Sequence, residues 1–591
     1  MHYKRPKADV VIVGLGWAGS TMAEELTRAG LNVVAIERGA WRDTSTSFPT
    51  TRNPDELSGS IRKDILQAPV TETYTVRNRP GETALPLRKY HNLTLGNNVG
   101  GAGTHWAGAS WRWQSFDHQP YSRVMERYGA KQLVNGLILQ DWGVTYNDLE
   151  PFYDRFEKIA GTSGTAGVIN GVKHPGGNPF EDSRTSPYPT PALERTRANI
   201  LFSEATTRMG YSPFPVPSAM IGGPYTNALG INLAPCTYCG YCQLYGCGNW
   251  SKSSPNICIL PVLMQRPNFT VVTESEVVRI NTTPDKKMAT GVTFVDSDGN
   301  IGEQPADIVI TATFTLDNTR LLLLSGISTP YDVSTGQGVV GRAFTFQTLS
   351  WAFMFFENEY LNPFMNTGAL ATQIDDFNGD NFDHTGLGFI GGAGIQSLCN
   401  QGLPIGMSGL VPEGSPRWGK GWKKAFQKSY QNYAQIQGQG TNFAHREQFM
   451  DLDPTYKDRF GQPLLRITYD YNENDRRSGR FIRDKCVEIA KEMGAREVKG
   501  VSLADDPYSG YTPWDSSHVQ GGVVMGEDPR TSVQNRYQQN WDVPNLFVIG
   551  ASSFPNNAGY NPTVAVGATT LWTAKAIKEL YLKNPGPLVR L

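Results

Sequence analysis

The sequence predicts an α/β (α+β) fold built on a nucleotide-binding sheet. Three observations carry that prediction: a strand, glycine turn and helix at the N-terminus, a second strand ending on an acid, and further apolar strand-like runs near residues 268–326 and 544–551. Four cysteines within twelve residues (Cys236, Cys239, Cys242 and Cys247) add a separate chemical feature.

Ala8-Asp-Val-Val-Ile-Val13 is the short apolar run of a buried parallel strand, and Gly14-Leu-Gly16-Trp-Ala-Gly19 follows it before a helical stretch to Arg28. Leu31–Ile36 reads as the second strand, and Glu37 ends it where an acidic side chain binds the ribose hydroxyls of an adenine dinucleotide. Gly14, Gly16 and Gly19 let the backbone approach a pyrophosphate at the helix N-terminus. A glycine turn that merely packs is the competing reading, and the combination of both strands, the helix and the acid argues against it.

Composition bounds the rest. The chain has 591 residues, 39% of them hydrophobic, which suffices for a sizeable core in two or three domains. Glycine (62) and proline (38) are plentiful and only 18% of residues are charged, favouring a loop-rich enzyme over a helical bundle. A net charge of −1 gives no basic footprint for nucleic acid. No apolar run reaches the roughly 18 to 20 residues of a membrane span. The N-terminal Met1-His-Tyr-Lys-Arg-Pro-Lys-Ala8 contains no apolar signal core, so nothing there is expected to export the chain by itself.

The C-x2-C-x2-C-x4-C run reads as a metal-thiolate loop, with Cys258, Cys399 and Cys486 standing apart from it. Its spacing is close to that of ferredoxins, although the last gap is one residue longer and no proline follows Cys247. Zinc competes, but structural zinc sites usually draw on two separated knuckles and no second one lies nearby. A thiol loop without metal is the third reading. Gly240, Gly246 and Gly248 let the backbone curl around a cuboidal cluster, so iron–sulfur is the expectation.

Asn268–Ile280, Ala306–Gly326 and Pro544–Ala551, together with the first forty residues, resemble the discontinuous flavin domain of the glucose-methanol-choline (GMC) oxidoreductase family; Asp451–Pro463 resembles its entry to the last part of the substrate domain. The resemblance runs almost end to end. It implies a Rossmann-like FAD domain and a sheet-and-helix substrate domain, and the oxidation of primary or secondary alcohols. The expected division is FAD-binding parts at 1–120, 266–330 and 505–591, a connecting segment at 121–224, an iron–sulfur insertion at 225–265, and a substrate domain at 331–504. Val277, Gly550, Ala551, Pro562 and Thr563 fall in its flavin contacts; where the family often has Gly-Asp, this chain has Gly550-Ala551.

Within the matched segments, His518 is expected to act as general base on the substrate hydroxyl and Asn561 to hold the same oxygen. The bland reading is a loop cap and a satisfied turn. Gly100-Gly101-Ala-Gly-Thr104-His105-Trp106 belongs to a loop that nears the flavin ring in this family. Its Thr-His-Trp resembles pyranose-oxidising relatives and implies a covalent bond from His105 to the flavin 8α-methyl carbon; a packed histidine beside a noncovalent ring is the alternative.

The flavin motifs joined to a cysteine insertion resemble the flavoprotein subunits of membrane-bound bacterial sugar and sugar-acid dehydrogenases. That resemblance implies an iron–sulfur cluster, three-iron favoured over four-iron, with one of the four cysteines a spare. It also implies a multihaem cytochrome c subunit passing electrons to quinone, a small subunit carrying the export signal, and a periplasmic protein attached to the membrane through a partner. Chain length and the Thr-His-Trp loop point to oxidation of D-gluconate at C2, over fructose, sorbitol, glucose or 2-ketogluconate, and over an oxygen-using sugar oxidase. A carboxylate substrate should meet a cation, and Arg112 or His445-Arg446 are the candidates.

Overall fold

A computed structural model describes residues 1–48, 53–90, 93–398, 403–505 and 516–590; Cys399 lies outside them. The nucleotide sheet is assembled from three distant parts of the chain. Phe269–Val272, Val33–Ile36, Ala8–Val13 and the C-terminal half of Ile301–Thr311 lie side by side in parallel, and Leu546–Val548 also pairs with Ile301–Thr311. Val10 to Ile12 and Val309 to Ile310 are fully buried, as both-faces-covered parallel strands require. The second strand begins at Val33 rather than Leu31, because the Asn32 backbone N–H instead donates to the Asp9 carboxylate at 2.7 Å. The N-terminal half of Ile301–Thr311 leaves this core and pairs antiparallel with Ala289–Val295, which pairs with Glu276–Thr282.

Helix Trp17–Arg28 follows the glycine turn and packs on helix Thr563–Ala576, which in turn packs on helix Tyr146–Ala160. The turn is tight: a Cβ at Gly19 would lie 2.0 Å from the Gly14 carbonyl oxygen. Helix Thr315–Ser325 ends at Gly326 in the left-handed region (φ 62°), a stop that glycine adopts without strain.

A second, antiparallel sheet runs in the order Glu497–Ser502, Leu349–Phe355, Tyr433–Gly440, Ala393–Leu398, Ala371–Ile374, Phe214–Pro215. Helix Glu473–Glu492 covers one face, its Ile482, Cys486 and Ile489 buried against Ala352, Met354 and Ile436. The other face is free to line a cavity. Short strand Thr345–Phe346, just before this sheet, pairs antiparallel with Val519–Gln520 and ties the two halves together. Among the described residues no helix is long and apolar enough to cross a membrane.

Candidate active site

One cavity of about 430 Å³ runs from the glycine turn to the antiparallel sheet. Gly14, Gly16, Glu37 and Arg38 line one end; Gly101, His105 and Trp106 line the middle; His518, Gly550, Ala551, Asn561, Pro562 and Thr563 close the other side. Val277 also reaches it. Gly19, Gly100 and Thr104 do not line it; they hold the scaffold. A Cβ at Gly100 would meet the Asn256 Oδ1 at 1.9 Å, and the Thr104 hydroxyl accepts from Asn98 and donates to Asn256.

The residues fit a dinucleotide. A Cβ at Gly16 would meet nothing closer than the Gly101 Cα at 3.9 Å, so this glycine keeps space open rather than packing. Gly16 also precedes the helix with no side chain capping it, which leaves the first backbone N–H groups to an anion. The Glu37 carboxylate accepts from Leu15 N at 2.8 Å and Gly39 N at 2.9 Å; burial nevertheless raises its pKa. These bonds hold the acid at the strand end, on the cavity wall.

His105 is buried in the loop beneath the cavity. Its Nε2 lies 3.0 Å from the Thr94 carbonyl, an acceptor, so Nε2 carries the proton. Nδ1 is bare and, among the described residues, has no partner. Burial pulls the ring's pKa down to about 4, keeping it neutral and nucleophilic at Nδ1. An unpartnered nitrogen on the wall of a flavin-sized cavity fits a covalent or close flavin contact.

His518 and Asn561 meet at the substrate side. Asn561 Nδ2 lies 3.0 Å from His518 Nε2, and the Asn561 Oδ1 is buried without a partner among the described residues. Withdrawal from water lowers the His518 pKa to about 4. At neutral pH the imidazole is therefore uncharged and able to take a proton. Above the pair, Leu349, Trp351, Gln396, Leu398, Gln437 and Gln439 face the cavity from three adjacent strands. Gln396 and Gln439 both donate to Gln437 Oε1, at 3.0 and 3.1 Å. This neutral glutamine wall was missed; the period-two alternation of Gln435-Ile-Gln437-Gly-Gln439 was the available signal.

The cations expected to face a substrate carboxylate are engaged elsewhere. Arg112 is buried in a bidentate pair with Glu157 (2.8 Å to each oxygen) and a further bond to Glu150 at 3.0 Å. His445 binds the Asn135 carbonyl, and neither it nor Arg446 lines the cavity. Among the described residues, the Lys and Arg side chains that do line it, Arg38 and Arg320, pair with Glu72 and Asp458.

The cysteine loop abuts the flavin loop. Leu244 N donates to the His105 carbonyl at 2.8 Å, and the buried Lys252 ammonium donates to the carbonyls of Trp106 (3.1 Å), Cys242 (2.7 Å) and Tyr245 (2.7 Å). The Cys236 and Cys242 thiols both reach the Thr367 hydroxyl, at 3.2 and 3.3 Å. Burial raises both thiol pKa values, that of Cys242 to about 12. Four soft donors beside a fixed ammonium suit a thiolate-bound group chemically. Their arrangement gathers only two thiols on one point, and among the described residues no group of three or more His, Cys, Asp or Glu could hold a metal ion.

Sequence models of the GMC oxidoreductase family match residues 219–348 and 445–570. The chain is 45% identical, over 99% of its length and 95% of the relative, to a gluconate 2-dehydrogenase flavoprotein of Pantoea cypripedii. It is 26% identical, over 96% and 97%, to a fructose dehydrogenase large subunit of Gluconobacter japonicus. A formate oxidase structure from Aspergillus oryzae superposes with TM-score 0.59 at 15% identity, covering 98% and 99% of the two chains, and so shares the fold. With the dinucleotide turn, the split sheet and this similarity in place, the chain belongs to the GMC oxidoreductase family, flavin enzymes that bind FAD and act on CH–OH groups.

Proposed function

We propose that the protein is the catalytic flavoprotein of a dehydrogenase that oxidises a sugar-acid hydroxyl, D-gluconate to 2-keto-D-gluconate. The observation that carries the reading is the His518–Asn561 pair, 3.0 Å apart on the wall of the flavin cavity, in a chain 45% identical to a gluconate 2-dehydrogenase flavoprotein. Bound FAD would supply the hydride acceptor. An alcohol oxygen placed between the two side chains gives its proton to His518 Nε2 and receives a bond from Asn561 Nδ2. The orphan Asn561 Oδ1 is left for a neighbouring hydroxyl. His105 Nδ1 is the nitrogen available for a covalent flavin bond.

The reading extends to an iron–sulfur centre, three-iron favoured over four-iron, held by thiols of the Cys236, Cys239, Cys242 and Cys247 loop, one of which a three-iron cluster leaves spare. The donor chemistry and the hydrogen bonds joining that loop to His105 and Trp106 support it. The thiol geometry does not by itself select the nuclearity. We further infer a partner subunit bearing a multihaem cytochrome c, a small subunit carrying the export signal, and attachment at the periplasmic face of the membrane, with quinone as the eventual acceptor. Iron and acid-labile sulfide measured on the anaerobically purified protein test the centre; their absence from a folded, yellow protein removes it.

A neutral-sugar dehydrogenase is the second reading, favoured by one observation: among the described residues, the substrate wall of Trp351, Gln396, Gln437 and Gln439 carries no cation. Steady-state rates with gluconate, 2-ketogluconate, fructose, sorbitol and glucose, using an artificial acceptor, separate the two. A strong preference for an uncharged sugar defeats the gluconate reading, and rapid peroxide formation with oxygen would assign an oxidase instead.

A further inference from the structure

We propose that Gln347 is the positioning residue that fixes His518 in its Nδ1–H tautomer, leaving Nε2 unprotonated and able to take the substrate proton. Gln347 follows the strand Thr345–Phe346, whose antiparallel register with Val519–Gln520 sets it beside His518. Its backbone N–H donates to the His518 carbonyl at 3.2 Å. The side chain is fully buried, and its Oε1 lies 2.5 Å from His518 Nδ1.

The orientation of this carboxamide is forced. Its Nε2 faces two backbone carbonyls, Ala558 O at 2.8 Å and Tyr560 O at 3.3 Å, which can only accept. The NH₂ group must therefore point at them and Oε1 at the imidazole. A carbonyl oxygen cannot donate, so Nδ1 holds the ring proton and the lone pair is on Nε2. The 3.0 Å bond from Asn561 Nδ2 to Nε2 agrees with that assignment, since the amide is there the donor.

The acceptor carries no charge, and that sets the working range of the base. Among the described residues no charged side chain contributes to the His518 pKa; the groups around it are the Ser516 hydroxyl on its backbone N–H, Asn557 on its carbonyl, Gln347 and Asn561. A carboxylate in place of Gln347 would hold the same tautomer but would also stabilise the imidazolium. The amide selects the tautomer while stabilising the imidazolium far less than a carboxylate would.

This inference rests on His518 being the base, and the experiment separates the two claims. Anaerobic flavin reduction by substrate is followed by stopped flow in wild type, His518→Ala, Gln347→Met and Gln347→Glu, each checked for flavin content. Gln347→Met removes the acceptor and is expected to slow reduction by about 10- to 100-fold, by analogy with the loss of the acceptor that orients a metal-bound histidine. Gln347→Glu keeps an acceptor for Nδ1 but turns oxygen toward two carbonyls. If Gln347 serves only to satisfy those carbonyls, Gln347→Glu will be no faster than Gln347→Met, and the proposal is overturned. If it fixes the tautomer, Gln347→Glu will be at least about tenfold faster than Gln347→Met, a recovery that loss of packing cannot produce. Should Gln347→Met purify without flavin, Gln347→Glu is judged against wild type: reduction within about tenfold supports the assignment, and a hundredfold deficit with flavin bound defeats it. Unchanged reduction in His518→Ala would remove the base itself rather than Gln347's part in it.

Discussion

The backbone N–H of Leu244 donates to the carbonyl of His105 at 2.8 Å, so the cysteine loop hangs directly from the loop that meets the flavin cavity. Lys252 reinforces that junction. Its ammonium is withdrawn from water and held by three carbonyls, two in the cysteine loop and one in the flavin loop. A lysine so buried is costly unless every proton finds an acceptor, and here each does. Lys252→Met would leave those carbonyls without their charged donor and is expected to destabilise the protein by about 3 kcal/mol or more. The apparent unfolding temperature should fall, and the cysteines should react faster with a thiol reagent under native conditions. An unchanged melting curve together with unchanged thiol reactivity would contradict the role of Lys252 as the staple between the two loops.

The low pKa of His518 fixes the direction of the pH profile. A general base works in its neutral form, and the ring is neutral above about pH 4. Activity is therefore expected to hold as pH falls through 6.5, where an ordinary imidazole protonates, and to drop tenfold per unit only below about 4. The measurement is kcat/KM against pH in the free enzyme's stable range. An acid limb centred near 6.5 would show that His518 is not withdrawn from water as the structure places it. Replacing His518 with Ala should slow flavin reduction by about 10²- to 10⁴-fold at any pH while leaving flavin bound.

Much of the nucleotide end was legible because its signals are local. Ala8–Val13, the glycine turn and helix Trp17–Arg28 each announce themselves within one element's length, and Glu37 follows at a fixed offset. His518 and Asn561 were placed by resemblance, since nothing nearby in sequence says that residues 43 apart will stand 3.0 Å from each other. Gln347 and the glutamine wall escaped for the same reason: their role depends on strand pairing between segments distant in sequence, Phe346 with Val519 in one case and Gln396 with Gln437 in the other. Lys252 gives no sign at all, lying in a Ser-Lys-Ser-Ser stretch that reads as exposed loop. Arg112 shows the converse error. It looked like a free cation in an aromatic stretch, but Glu150 and Glu157 lie one helix away, at a distance that sequence spacing does not reveal.

His105 presents a bare Nδ1 because its other nitrogen is committed to Thr94. A covalent flavin bond at that atom would keep the yellow colour with the protein through acid precipitation. His105→Ala should release all of it under the same treatment, while the native variant still binds FAD, since Gly14, Gly16 and Glu37 are untouched. Complete release from the wild-type protein would refute the covalent bond and leave His105 as a packed neighbour of the ring.

Gly16 and Gly19 belong to one motif but should fail in different ways. At Gly19 an added Cβ would lie 2.0 Å from the Gly14 carbonyl oxygen, far inside van der Waals contact, and backbone cannot yield as a flexible side chain does. Gly19→Ala must therefore spread the turn from the helix, and the expected result is lower stability whether or not flavin is present. At Gly16 the nearest atom to such a Cβ is 3.9 Å away, and the glycine's backbone φ is that of an ordinary extended residue, −80°. Gly16→Ala should fold normally as apoprotein, because it strains nothing in the chain; Gly16→Val, with two further methyl groups on the side from which a pyrophosphate approaches, should fold but bind FAD more weakly. Thermal unfolding of the apo forms and FAD titration of each variant separate the outcomes, using protein produced in a form able to bind FAD reversibly by His105→Ala. If Gly16→Val binds FAD as tightly as its parent, the open space beside Gly16 is not where the dinucleotide passes.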